Sequence, residues 1–196
     1  MTLTHTDAPM LLPVGYMCKF VQKKDHHLNP ERVDQICSVS PCVSGDFMDP
    51  MKWIKYWKHN DYWLFDSPAL IKEIADAAGV CLDEATTFYY EAHDKQFYEE
   101  MGEWHPYGIE KLRLDNVQPP SCPALLGYDA ITYETGSNAE CSPLSCNYMA
   151  NEVSEVNRNC LFDSFEETKR SIETGAVYGE PGPYRILAVY AVDSPS

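Results

Sequence analysis

The chain has 196 residues, 44% of them apolar and 23% charged, which is enough apolar material for one substantial core and too much for a disordered chain. Thirty acids against fifteen Lys and Arg give a net charge of −15. A field of that sign repels nucleic-acid phosphates and anionic membrane surfaces, and no apolar run approaches the ~20 residues that span a bilayer.

The charge is unevenly spread. Residues 1–58 hold seven Lys and Arg against six acids, whereas residues 59–196 hold eight against twenty-four. Such a surface either keeps the protein dispersed or attracts a basic protein partner. Met1 to Met10 carry His5 and Asp7 and no apolar stretch, so no secretory signal is expected and the cytoplasm is the expected compartment. The eight cysteines are then expected as thiols or metal ligands before disulfides.

In chain order, residues 1–13 read as a loose tail, and 14–196 as a single globular domain with lobes at 14–100 and 122–193. Gly15 to Val21 has the alternation of a strand, with Lys19 among apolar neighbours. Gln22 to Asp34, carrying His26 and His27, has loop chemistry. Pro50 to His59 steps at helical spacing. Ser67 to Gly79 is the clearest helix: a serine cap, Pro68 at its first position, an apolar stripe from Leu70 to Ala78 and a terminating glycine. Thr86 to Ala92 is β-branched and aromatic, hence a strand. Residues 99–122, punctuated by glycines and prolines, read as an irregular crossing.

Leu125 to Glu134 reads as another strand, and Ser142-Pro143 opens a short helix. Ser164 and Glu167 make a capping box for a helix that Gly175 stops. Pro183 to Val192 is almost continuously apolar, as expected of a strand buried on both faces. These elements predict an α+β fold: a single compact domain of two β-α-α-β-like halves around a mixed sheet, with no repeat of domain size.

The most distinctive pattern is a repeated C-x4-C. Cys37 to Cys42 and Cys141 to Cys146 share their spacing, a serine after the first cysteine and an internal proline. Four thiolates from two such pairs suit a tetrahedral zinc site, with Cys37, Cys42, Cys141 and Cys146 as ligands. The alternative is four small buried residues. The same residues also suit thiol chemistry. With Ser142 as cap, Cys146 falls in the first turn of a helix, where unpaired N–H groups favour a thiolate, and Cys141 is placed to resolve an oxidised Cys146. A base would come from His93, His105, His59 or the pair His26 and His27. On a strand, Glu91 and His93 share a face, which suits a base and its orienting carboxylate, or plain solvent exposure.

Six aromatics crowd Trp53 to Phe65. Trp53, Trp57 and Phe65 are expected in the core, leaving Tyr56, Tyr62 and Trp63 as candidate partner-binding residues. There is no P-loop, no G-x-G-x-x-G opening a helix, no H-E-x-x-H and no G-x-S-x-G.

The runs Leu126-Gly127-Tyr128-Asp129, Glu140 to Asn147, Cys160 to Glu167 and Glu180 to Arg185 resemble small bacterial proteins of unknown activity. The resemblance spans about 125–193, carries over no catalytic residue, and implies a bacterial cytoplasm. Two function classes are therefore expected. The first is a non-enzymatic acidic protein, an inhibitor or immunity-type protein among its forms, that binds a basic protein and needs no cofactor. The second is a thiol enzyme or redox protein on Cys146 and Cys141, or a zinc-binding module on the two cysteine pairs.

Overall fold

Apolar and aromatic runs pair into an antiparallel sheet. The computed structural model describes residues 9–23, 28, 31–47, 60, 63–107, 115–132 and 141–192. Its strands are β1 (Leu11–Phe20), β2 (Gln22–Lys23), β3 (Gln35–Ile36), β4 (Gly45–Asp46), β5 (Thr86–His93), β6 (Lys95–Tyr98), β7 (Glu103–Pro106), β8 (Ala124–Thr132) and β9 (Tyr184–Val192). The helices are α1 (Pro68–Ala78), the single turn α2 (Pro143–Cys146) and α3 (Phe165–Glu173), with a 3-10 turn at Met149–Asn151.

The almost continuously apolar β9 lies at the centre, as its composition predicts. It pairs with β5 on one edge and β8 on the other. Strand β1 flanks β5, and β4 flanks β1. Strand β6 meets the start of β9 through Phe97 and Tyr184, and β7 turns back beside it. Strands β2 and β3 form a separate ribbon. The α+β class and single domain agree with expectation. Two details do not: every pairing among the described residues is antiparallel, not mixed, and the crossing at 99–122 begins with the β6–β7 hairpin. Strand β1 also starts at Leu11, taking in residues assigned to the tail. The helix expected at Pro50 to His59 lies outside the described residues.

The helix ends follow their sequence signals. Ser67 Oγ accepts from the Leu70 N–H at 3.2 Å, and Gly79 closes α1 at φ 69°. Ser164 Oγ accepts from the Glu167 N–H at 3.2 Å to start α3. Ile71, Ile74 and Ala75 of α1 and Phe165, Thr168 and Ile172 of α3 are the buried stripes.

A structural repeat relates the two halves, where the sequence reading gives two β-α-α-β-like halves but no repeat of domain size. Tyr16 of β1 bridges Phe65, and Tyr128 of β8 bridges Phe162 in the same way. Asn60 Nδ2 donates to the Val14 carbonyl at 2.8 Å, and Asn157 Nδ2 donates to the Leu126 carbonyl at 2.9 Å. Each bridge leads through Asp and a capping Ser into a helix, and then into the strands β5 or β9. Gly15 and Gly127 make these approaches feasible. A Cβ on Gly15 would lie 2.7 Å from Leu64 Cβ and 2.9 Å from the Phe65 oxygen. On Gly127 it would lie 2.8 Å from Leu161 Cβ and 2.5 Å from the Phe162 oxygen. Both glycines also have positive φ, 135° and 145°. The strand register makes the relation two-fold. Gly15 pairs with Tyr90 and Gly127 with Val189, and Tyr90 and Val189 pair with each other.

Strand alternation then separates the layers. On one face, α1 lies by Cys18 and Thr87, while Phe165 of α3 packs edge-on against His93 and Tyr128. The other face presents Lys19, Tyr90 and Asp129. It is covered by the two cysteine-bearing segments, which follow β1 and β8 respectively.

Candidate metal centre

The two cysteine segments approach one another because buried charges on the sheet hold each of them. Lys19 is 1% exposed, and its ammonium donates to three consecutive carbonyls: Ser38 at 3.1 Å, Val39 at 2.7 Å and Ser40 at 3.0 Å. Asp46 of β4 lies 3.5 Å away and balances its charge. Burial lowers the Lys19 pKa and raises that of Asp46, so each depends on the other to remain ionised. Three carbonyls converging on one cation fix the first segment just before Cys42.

Asp129 joins that segment to the second. One carboxylate oxygen accepts from the Val39 N–H at 2.9 Å, and the other accepts from the Ser142 hydroxyl at 2.5 Å. Burial raises its pKa to about 6, against the lowering effect of the Ser142 and Val39 hydrogen bonds. Ser142 therefore spends its hydroxyl on Asp129 and makes no side-chain cap to α2. A second link lies nearer the sulfurs. Ser40 Oγ accepts from the Cys42 N–H at 3.3 Å and from the Cys146 thiol at 3.5 Å. Cys141 is tied to the end of β8, where its carbonyl accepts from the Thr132 N–H at 2.9 Å.

The result is a group of three thiols. The sulfurs of Cys42, Cys141 and Cys146 all lie within 4.8 Å of one another. They open on a cleft of about 360 Å³ whose walls include Gln22, Val43 and Tyr148. Cys42 is exposed and the other two are partly exposed, so a solute reaches them from solvent. Burial, then the adjacent Cys146, push the Cys141 thiol pKa up. Three soft donors at this spacing suit a thiophilic ion.

Of the four cysteines expected as zinc ligands, the fold brings three together. Cys37 does not join that group; it is buried in the core at 1% exposure, and burial pushes its pKa up to about 12. Cys146 lies in the first turn of the helix that Ser142 and Pro143 open, as the sequence reading has it. Because α2 is a single turn, Cys146 is its last residue and its N–H already donates to the Ser142 carbonyl at 2.8 Å.

His93 is on the other face of the sheet, 7% exposed and wedged between Trp104 and Phe165. Burial lowers its pKa to about 4. Glu91 takes no part with it, accepting instead from the hydroxyls of Tyr89 at 3.0 Å and Tyr190 at 2.8 Å. His105 lies on β7, 3.5 Å from Glu103. Of the expected partner-binding residues, Trp63 is 39% exposed, while Tyr56 and Tyr62 lie outside the described residues; Phe65 is in the core, as expected, and Trp53, Trp57, His26, His27 and His59 also lie outside the described residues.

Sequence reading missed Lys19, Ser40, Asp129 and Ser142 as supports of the site. A signal existed for two of them: Lys19 and Asp129 are single charges inside apolar strands, where an ion is retained only with partners. No helix among the described residues is long and apolar enough to cross a membrane. No family profile, curated protein or solved structure matches the chain.

Proposed function

We propose that this protein binds a thiophilic metal ion through Cys42, Cys141 and Cys146. The observation that carries the reading is the convergence of three thiols from two distant segments on one open cleft. Sulfur donors held by a buried hydrogen-bonded frame need little reorganisation on binding, which favours affinity. Three protein ligands also leave one side of an ion free, as in sites that exchange or act on a solute rather than only staple a fold. A reducing compartment such as the cytoplasm would keep the thiols available.

The test is titration of reduced protein with Zn(II) and Cd(II), followed by native mass spectrometry and sulfur-to-metal absorption. One ion per chain is expected, and it should be lost when all three cysteines become serine. Failure to bind either ion, or equal binding by the triple variant, would remove this reading.

A second reading is capture of a basic protein by the acidic surface, with Trp63 as one anchor. It is supported by the exposure of Trp63, 39%, in the loop of the first half of the repeat, where its φ is 61°. Association that is insensitive to salt between low and physiological ionic strength would contradict it.

A further inference from the structure

Among the described residues the donor set of the cleft is three sulfurs, and that composition narrows which thiophile it suits. Among the described residues, no other Cys, His, Asp or Glu places a ligand atom in the group. Cys37, the fourth member of the two C-x4-C pairs, is committed to the core. Tetrahedral structural sites draw four ligands from the protein, so this arrangement fits a three-coordinate centre better.

Charge points the same way. With three thiolates, a monovalent ion leaves two net negative charges at the site, a divalent ion one, and a trivalent centre none. The surroundings disfavour residual negative charge. Glu180 is close enough to act on Cys141 electrostatically, and the whole chain carries −15. Lys19, whose charge acts on Cys146, is already engaged by three carbonyls and Asp46. A neutral complex avoids both like-charge repulsion and the desolvation of an unbalanced charge.

We infer that the cleft takes a trivalent metalloid hydroxide of the arsenite class, held by Cys42, Cys141 and Cys146 as a trigonal pyramid of sulfurs. The inference rests on the thiophilic-ion reading above and specifies its ligand. Binding is a condensation. Three As–O bonds break and three As–S bonds form, and each departing hydroxide leaves as water with one thiol proton. No electron changes hands, and As(OH)3 with three thiols yields As(S–Cys)3 and three waters. The sulfur lone pairs replace the hydroxide oxygens, while the arsenic lone pair occupies the open side of the cleft.

The experiment uses reduced full-length protein and sodium arsenite. Arsenic K-edge absorption should count three sulfur neighbours in a one-to-one complex. Because Cys42 is exposed, Cys42→Ser keeps the fold; it should show two sulfurs and bind roughly a hundredfold more weakly, at or beyond the scale of support-residue effects in metal sites. Replacing the remote exposed Cys81 and Cys122 by serine should change neither result. Two sulfurs in the unmodified protein, or equal affinity in Cys42→Ser, overturns the inference. If arsenite is not bound while Cd(II) is held by the same thiols, this inference fails and the thiophilic site stands. If neither is bound, both fail.

Discussion

In the first half of the chain Gly15 lies beneath Leu64 and Phe65; in the second, Gly127 lies beneath Leu161 and Phe162. The loops, their Asn anchors and their serine-capped helices correspond one to one. The edge strands carrying those glycines diverge immediately afterwards. Counting from the shared Gly-Tyr, β1 places Met17 and Lys19 on the face toward the cysteines, where β8 places Asp129 and Ile131. An ammonium gathers carbonyls and a carboxylate gathers donors, so the two halves grip the cysteine segments by opposite chemistry. The repeated parts hold backbone together. The unrepeated parts locate the thiols.

Exchanging each charge for its counterpart in the other half tests that division. Lys19→Ile leaves three carbonyls and Asp46 buried without their cation, and should cost ~3–5 kcal/mol in urea unfolding. A loss below ~1 kcal/mol would mean that the first segment is held by something other than Lys19.

Next in size are the shared glycines. Gly15→Ala and Gly127→Ala should each cost ~2–4 kcal/mol, from positive φ and from backbone atoms a Cβ cannot displace. Gly102, with φ 66° and nothing near its missing Cβ, supplies the contrast, and its alanine variant should cost only ~1 kcal/mol. Tolerance at Gly15 with intolerance at Gly127 would break the equivalence of the halves.

A smaller effect on stability than at the shared glycines belongs to Asp129→Met. It strands the Val39 N–H and the Ser142 hydroxyl, at ~1–3 kcal/mol. Part of that loss is returned, because an Asp whose pKa is raised to about 6 is ionised at neutral pH at some cost to the fold. The larger consequence is in binding: with the tie between segments cut, Cd(II) affinity should fall roughly tenfold. Unchanged affinity, measured by chelator competition, would show that Ser40 alone keeps the sulfurs together.

Much of the scaffold was legible in the sequence. Ser67, Pro68 and Gly79 mark α1 by local chemistry, and the almost continuous apolar run of β9 follows from burial on both faces. The two β-α-α-β-like halves were legible but the match between their parts was not, because the matching pieces are short and separated by spacers of unequal length. Only the close approach at Gly15 and Gly127 aligns them. The β6–β7 hairpin was hidden by the glycines and prolines around it. At the site, cysteine spacing pointed to the right segments but not to which sulfurs meet. Cys37 and Cys42 share a motif, yet one packs in the core and the other stands in the cleft, a difference set by Lys19 and Asp129 from strands far away in sequence.

The pairing of Tyr90 with Val189 on the two-fold axis has one more consequence. Each half contributes a strand, β5 or β9, that its counterpart needs as a neighbour, so the sheet is continuous only when both are present. A half made alone would carry an open row of peptide groups, already in register for the same row on another copy. The architecture is that of a tethered dimer. Severing the covalent connection between Pro106 and Ala124 would leave two fragments, each a template for recovering the other.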